Sequence, residues 1–208
     1  MEELVAEYLI LKNYSTETNV ALGSSKNRKR NEDKKRGGGR NEADVLGFKV
    51  IGDKLIIVHA ECMVQLYGEI DKDYKKIISK FKPKNEKEIE KLAKDRYKSE
   101  LKLDEKKLFF VVWHPKNEYE ELKKKLQKKN KIKLVDFKDL TYCILKAIDE
   151  FIEKRKALGL VKKDFNPQAI FSAIPDGLWL LKTIKSLDYV NLIKYDENQQ
   201  IKCELELP

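Results

Sequence analysis

The segment from Lys107 to Trp113, KLFFVVW, is apolar at consecutive positions. Successive side chains of a strand point to opposite sides of its sheet, so an unbroken apolar run has to be covered twice. This strand is therefore predicted to lie inside a sheet with helices on both faces. The surrounding sequence supplies those layers. Ala43 to Ile51 and Lys54 to Glu61 read as strands joined by a hairpin turn at Gly52-Asp53, and Asn19 to Leu22 as a short strand before them. A period of 3.6 predicts helices over Glu2 to Asn13, Asp71 to Phe81, Glu86 to Tyr97, Asn117 to Lys129 and Asp139 to Lys156. Asn85, with Glu88 three residues on, is the expected cap of the third helix. Ile132 to Phe137 reads as a short strand, and Leu140, Ile144, Ala147, Ile148, Phe151 and Ile152 form the inward stripe of the last helix. Helices alternating with strands after an initial hairpin predict an α/β fold, a mixed central sheet flanked by helices.

Hydrophobic residues make up 41% of the 208, enough for one core, and the main α/β domain is expected to span residues 1–160. Residues 161–208 read as a small accessory subdomain. There a helix from Leu178 to Leu187 precedes two strands, Tyr189 to Tyr195 and Gln200 to Leu207, and the arrangement resembles the tail of a winged-helix module. The net charge of +9 is unevenly placed. Residues 26–40 carry eight bases (Lys26, Arg28, Lys29, Arg30, Lys34, Lys35, Arg36 and Arg40) against Glu32 and Asp33, and they read as a mobile loop. Such a run next to the strand hairpin points to a polyanion partner, nucleic acid first and DNA above all. Its three glycines, Gly37 to Gly39, lack the Gly-Lys-Ser/Thr of a phosphate-cradling loop, which excludes that form of nucleotide binding. Three scattered cysteines with no CxxC pair argue against a disulfide framework and a zinc site, and suggest a reducing, cytoplasmic setting. No apolar run reaches membrane-spanning length, and no membrane partner is expected.

The hairpin strands carry acids where the basic run meets them. Glu42, Asp44 and Leu46 share one strand face, as do His59, Glu61 and Met63 on the next. A hairpin brings the start of its first strand beside the end of its second, so Asp44 and Glu61 are expected at the same end of the sheet. If their faces coincide, two carboxylates converge with no base close in sequence. Such a pair is stable mainly around a hard divalent cation, Mg²⁺ or Mn²⁺. A cation beside a phosphate-binding run implies metal-assisted phosphodiester hydrolysis.

The order of helix, glycine-rich basic run, RNEADVLGF, hairpin turn, LIIVHAEC, helix, apolar strand and helix resembles the PD-(D/E)XK (restriction endonuclease-like) nuclease superfamily over roughly residues 1–157. The resemblance implies that Asp44 is the first acid and Glu61 the acid of the tripeptide. It implies a helix-borne metal-site glutamate at Glu7, with Glu3 as the off-register alternative, and the Cys62 carbonyl as a further ligand. The sequence departs from the pattern at one point: the tripeptide reads Glu61-Cys62-Met63, without its lysine. That lysine orients the attacking water and stabilises developing charge. Gln65, on the same face if the strand continues, is one replacement, and a migrated Lys49, Lys72 or Lys75 is another. The third alternative is that catalysis is lost and binding alone remains.

Each of these residues also has an ordinary reading. Asp is common where a loop enters a strand, and an acid at a strand end is commonly a solvated rim residue. A glutamate on an amphipathic helix is a surface residue by default, and a lone strand histidine such as His59 is commonly a hydrogen-bonded packing residue. The rival functions are a nucleic-acid-binding protein on a nuclease scaffold and an assembly partner dimerising through the C-terminal hairpin. A nuclease of this kind also allows a homodimer that cuts two strands.

Overall fold

Helix α1 (Glu2–Leu11) opens the chain and leads into strand β1 (Ser15–Ala21). Strands β2 (Glu42–Ile51) and β3 (Lys54–Gln65) form the hairpin, turned at Gly52 with φ +63°. Helices α2 (Ile70–Lys80) and α3 (Pro83–Tyr97) follow, then strand β4 (Lys102–His114), helix α4 (Tyr119–Asn130), strand β5 (Ile132–Asp136) and helix α5 (Phe137–Ala157). The computed structural model describes residues 1–22, 42–97, 101–115 and 118–159. The basic run at 26–40 and the subdomain expected at 161–208 lie outside the described residues.

The five strands form one sheet in chain order, antiparallel from β1 to β3 and parallel from β3 to β5. The mixed sheet flanked by helices is thus present. The centre of the KLFFVVW run, Phe109 to Val112, is buried on both sides, whereas Trp113 at its end is exposed. Phe109 and Val111 pack with Leu4, Val5 and Leu9 of α1 and Ile144 and Ile148 of α5. Phe110 and Val112 pack with Ile77 of α2 and Leu122 and Leu126 of α4 on the other face. On that second face Ile89 and Ala93 of α3 cover Leu46, Phe48, Leu55 and Ile57. Gly47 lets α1 approach β2 closely: a Cβ there would stand 2.9 Å from Leu9 Cδ1.

Several local expectations are corrected. The first helix ends at Leu11 rather than Asn13, because Asn13 takes a left-handed φ of 62° and the Tyr14 N–H bonds back to the Leu9 carbonyl. The first strand runs from Ser15, since polar edge residues pair with β2 without any apolar alternation to announce them. Asn85 does not cap α3, which begins at Pro83, a residue suited to a first helical turn. Its Nδ2 instead donates to the Lys80 carbonyl (3.0 Å), closing the end of α2. Cys143, buried on α5, is disulfide-bonded, contrary to the expectation of no disulfide framework, while Cys62 is free. Among the described residues no helix is long and apolar enough to cross a membrane.

Candidate active site

The β2–β3 register pairs Val45 with Ala60. One step further along both strands, Asp44 and Glu61 stand opposite each other on the face they share with Leu46 and His59. Asp44 Oδ2 accepts a hydrogen bond from the Cys62 N–H at 2.7 Å, which ties the two strand ends together. The acids therefore meet at the same end and on the same face of the sheet.

A lysine meets them there. Lys80 is the last residue of α2; its Nζ lies 2.6 Å from Glu61 Oε2 and 4.0 Å from Asp44 Oδ1. Its side chain is 41% exposed, against 16% for Asp44 and 1% for Glu61. The α2–α3 corner places it. Asn85 closes the helix end, and the buried Phe81 ring packs 4.8 Å from the His59 ring. A cation in the last helical turn also faces the negative end of the helix dipole. Burial pulls the Lys80 ammonium down, but contact with Glu61 and the charges of Glu61 and Asp44 raise its pKa on balance.

Behind Glu61 lies a second buried group. His59, fully buried, bonds Glu61 Oε1 through Nε2 (2.9 Å) and Glu86 Oε1 through Nδ1 (2.7 Å). Lys106 of β4 reaches Glu86 Oε2 at 3.3 Å and also pairs with Glu90. An imidazole donates from both nitrogens only as an imidazolium. Burial alone pushes His59 toward neutrality, yet the bonds from Glu61 and Glu86 raise its pKa. The Glu86 carboxyl, which burial pushes up, is brought below its usual range by His59 and Lys106.

Burial raises the Asp44 carboxyl to about 6. The Cys62 N–H opposes that rise, the Glu61 charge adds to it, Lys80 opposes it, and Glu2 at the start of α1 adds to it. Glu61 Oε2 is buried and meets the Lys80 ammonium at 2.6 Å. Two opposed carboxylates, each with one oxygen turned toward the same half-exposed ammonium, suit an Mg²⁺-type ion. Such an ion is held by one or two carboxylates, with water and phosphate oxygens completing its shell. Among the described residues no group of three His, Cys, Asp or Glu side chains forms a protein-only cage.

The other anticipated residues fall as follows. Cys62 lies beside Asp44, its backbone held by that carboxylate. Burial drives its thiol far above its usual range. Glu7 is buried on α1 and Glu3 is exposed. Gln65 is exposed at the end of β3, four residues and about 13 Å beyond Glu61 at ~3.3 Å per residue, so the strand does not bring it to the pair. Lys49 donates to the Lys12 carbonyl (3.0 Å), Lys72 pairs with Glu69 in solvent (2.6 Å) and Lys75 is exposed. Met63 packs in the apolar cluster around Ile77 and Phe110. Sequence reasoning missed Lys80, Glu86 and Glu2. Lys80 left one signal, a basic residue ending the helix that follows the acidic strand.

No protein-family model matches this chain, and neither a curated protein nor a solved structure matches it.

Proposed function

We propose that the chain is a Mg²⁺- or Mn²⁺-dependent nuclease that hydrolyses phosphodiester bonds of DNA, with Asp44 and Glu61 as cation ligands and Lys80 in place of the tripeptide lysine. The observation that carries this reading is the Lys80 ammonium set against two opposed carboxylates. A bound divalent cation would polarise the phosphoryl oxygen and acidify a water molecule. The chain's own part is positional. Asp44 Oδ1 and Glu61 Oε2 face the shared space, Asp44 Oδ2 and Glu61 Oε1 being held by the Cys62 N–H and His59. The Cys62 backbone is fixed beside them, where the family pattern places a carbonyl ligand. The half-exposed Lys80 ammonium is free to turn toward a phosphate and stabilise charge that develops on it. The element order of α1, the β1–β3 meander, α2–α3 and the parallel β4 agrees with the order on which the superfamily resemblance rests. The eight bases at 26–40 would hold the phosphate backbone.

One observation favours a second reading. Both oxygens of Glu61 already have partners within the chain, His59 and the Lys80 ammonium, as in a nucleic-acid-binding protein that needs no metal. Cleavage of labelled duplex, junction and single-stranded DNA in Mg²⁺ and Mn²⁺ separates the two. The nuclease reading expects Asp44→Ala to abolish cutting. It expects Lys80→Met to slow cutting by about 10²-fold at near-unchanged DNA affinity. A wild type that binds DNA in a salt-dependent way yet binds no Mn²⁺ and cuts none of these substrates would leave only the binding module.

A further inference from the structure

We infer that His59, braced by Glu86 and Lys106, is a positioning residue that commits Glu61 to cation binding; this rests on the nuclease reading above. A glutamate carboxylate rotates broadly about its terminal bond, and a buried one has no water to settle which oxygen faces which way. Here His59 Nε2 takes Glu61 Oε1 at 2.9 Å and leaves Oε2 on the side of Asp44, paired with the Lys80 ammonium at 2.6 Å. The ring cannot turn away, because Glu86 Oε1 holds its Nδ1 at 2.7 Å and Phe81 packs against it. Lys106 balances the second Glu86 oxygen from the neighbouring strand at 3.3 Å. Helix α3, strand β4 and the α2–α3 corner thus converge on one imidazole.

Nothing in the sheet requires such a chain. Replacing a buried ionic chain by apolar side chains of similar volume is often neutral or stabilising, and here the second oxygens of Glu61 and Glu86 are met only by the lysines Lys80 and Lys106. What the chain provides is a fixed orientation for Glu61. Groups that hold a ligand from behind commonly change metal affinity or activity by 10–100-fold when removed. The three residues form a chain, Lys106 to Glu86 to His59, that ends on Glu61, so their effect passes through Glu61.

The test is Glu86→Gln, which keeps the side-chain shape and an oxygen for Nδ1 while removing the charge. Lys106→Met is the second variant, should the first not fold. Mn²⁺ binding to the full chain is measured by titration calorimetry at pH 8, and cleavage of labelled duplex DNA is followed against Mn²⁺ concentration. The expected result is an Mn²⁺ affinity about tenfold or more below wild type. Cleavage should fall at low Mn²⁺ and recover at high Mn²⁺, with the KM for DNA unchanged. Lys80→Met, by contrast, should not recover. A folded variant that binds Mn²⁺ like wild type would overturn the inference and leave the nuclease reading standing. So would a loss of cleavage that high Mn²⁺ does not restore. A wild type that neither binds Mn²⁺ nor cuts DNA would overturn both.

Discussion

Replacing Asp44 by Asn asks whether the two acids are held together against their own preference. Asn has nearly the same shape, and its Oδ1 can still accept the Cys62 N–H bond. The folded chain raises the Asp44 carboxyl from 3.8 to about 6, with burial as the first cause. Each unit of such a shift is worth 1.36 kcal/mol, so ionised Asp44 destabilises the fold by at most about 3 kcal/mol. The sign follows from proton linkage. Well below pH 3.8 the group is protonated in both states and contributes nothing. As pH rises through 4 to 6 the unfolded chain ionises first and the wild type loses stability; above 6 the full penalty is present. The Asp44→Asn variant carries no such penalty. In EDTA, the variant should match wild type near pH 3 and exceed it at pH 8, with a urea midpoint higher by up to about 1.5 M for a slope of ~2 kcal/mol/M. Adding Mn²⁺ should then stabilise wild type and not the variant. An Asn variant that is less stable at pH 8, or a difference that does not change with pH, would refute the reasoning.

Gln65→Ala should leave the cleavage rate unchanged in a single-turnover assay, because Gln65 stands exposed at the far end of β3. Met63→Lys combined with Lys80→Met should not restore the rate lost by Lys80→Met, since position 63 points into the cluster of Leu66, Ile77 and Phe110; the double variant should also melt at lower temperature than either parent. Substituting Lys29, Arg30, Lys34 and Lys35 by Ala should weaken duplex binding for all sequences alike. The slope of log affinity against log salt should shrink by about 0.9 per lost phosphate contact. Gly47→Ala should cost about 1–3 kcal/mol in urea unfolding, because the new Cβ meets Leu9 Cδ1 at 2.9 Å and the buried Leu9 side chain must repack.

What the sequence made legible follows from where its signals are local. The two-sided burial of Phe109 to Val112 is written in consecutive residues, and Phe109 and Phe110 do go to opposite cores. The hairpin was legible because Gly52 supplies the left-handed turn and the pleat alternates on either side. That hairpin alone placed Asp44 near Glu61, because antiparallel register is fixed by the turn between them. The first strand was under-read because an edge strand of Ser, Thr, Glu and Asn has no apolar face to count. Lys80, Glu86 and Lys106 were not legible as site residues. They approach Glu61 and His59 from α2, α3 and β4, and which lysine of a lysine-rich chain points inward is decided by helix docking and not by spacing in the sequence.

The same docking accounts for the absence of a lysine at position 63. Beyond Glu61 the strand face is covered by α2, so Met63 joins Ile70, Tyr74 and Ile77 in an apolar cluster. Position 63 is half-buried, so a lysine there would give up apolar packing and carry its ammonium out to solvent rather than toward the acids. The helix that covers this position ends at Lys80, over Glu61. It also carries Phe81 onto the His59 ring, and the next helix brings Glu86 to the other side of that ring. The position of the positive charge relative to the two acids is therefore set by the packing of Ile77 and Phe81. A lysine placed this way depends on a helix end held by Asn85, and not on a strand register. Losing the Asn85 side chain should loosen Lys80 while leaving Asp44 and Glu61 opposed.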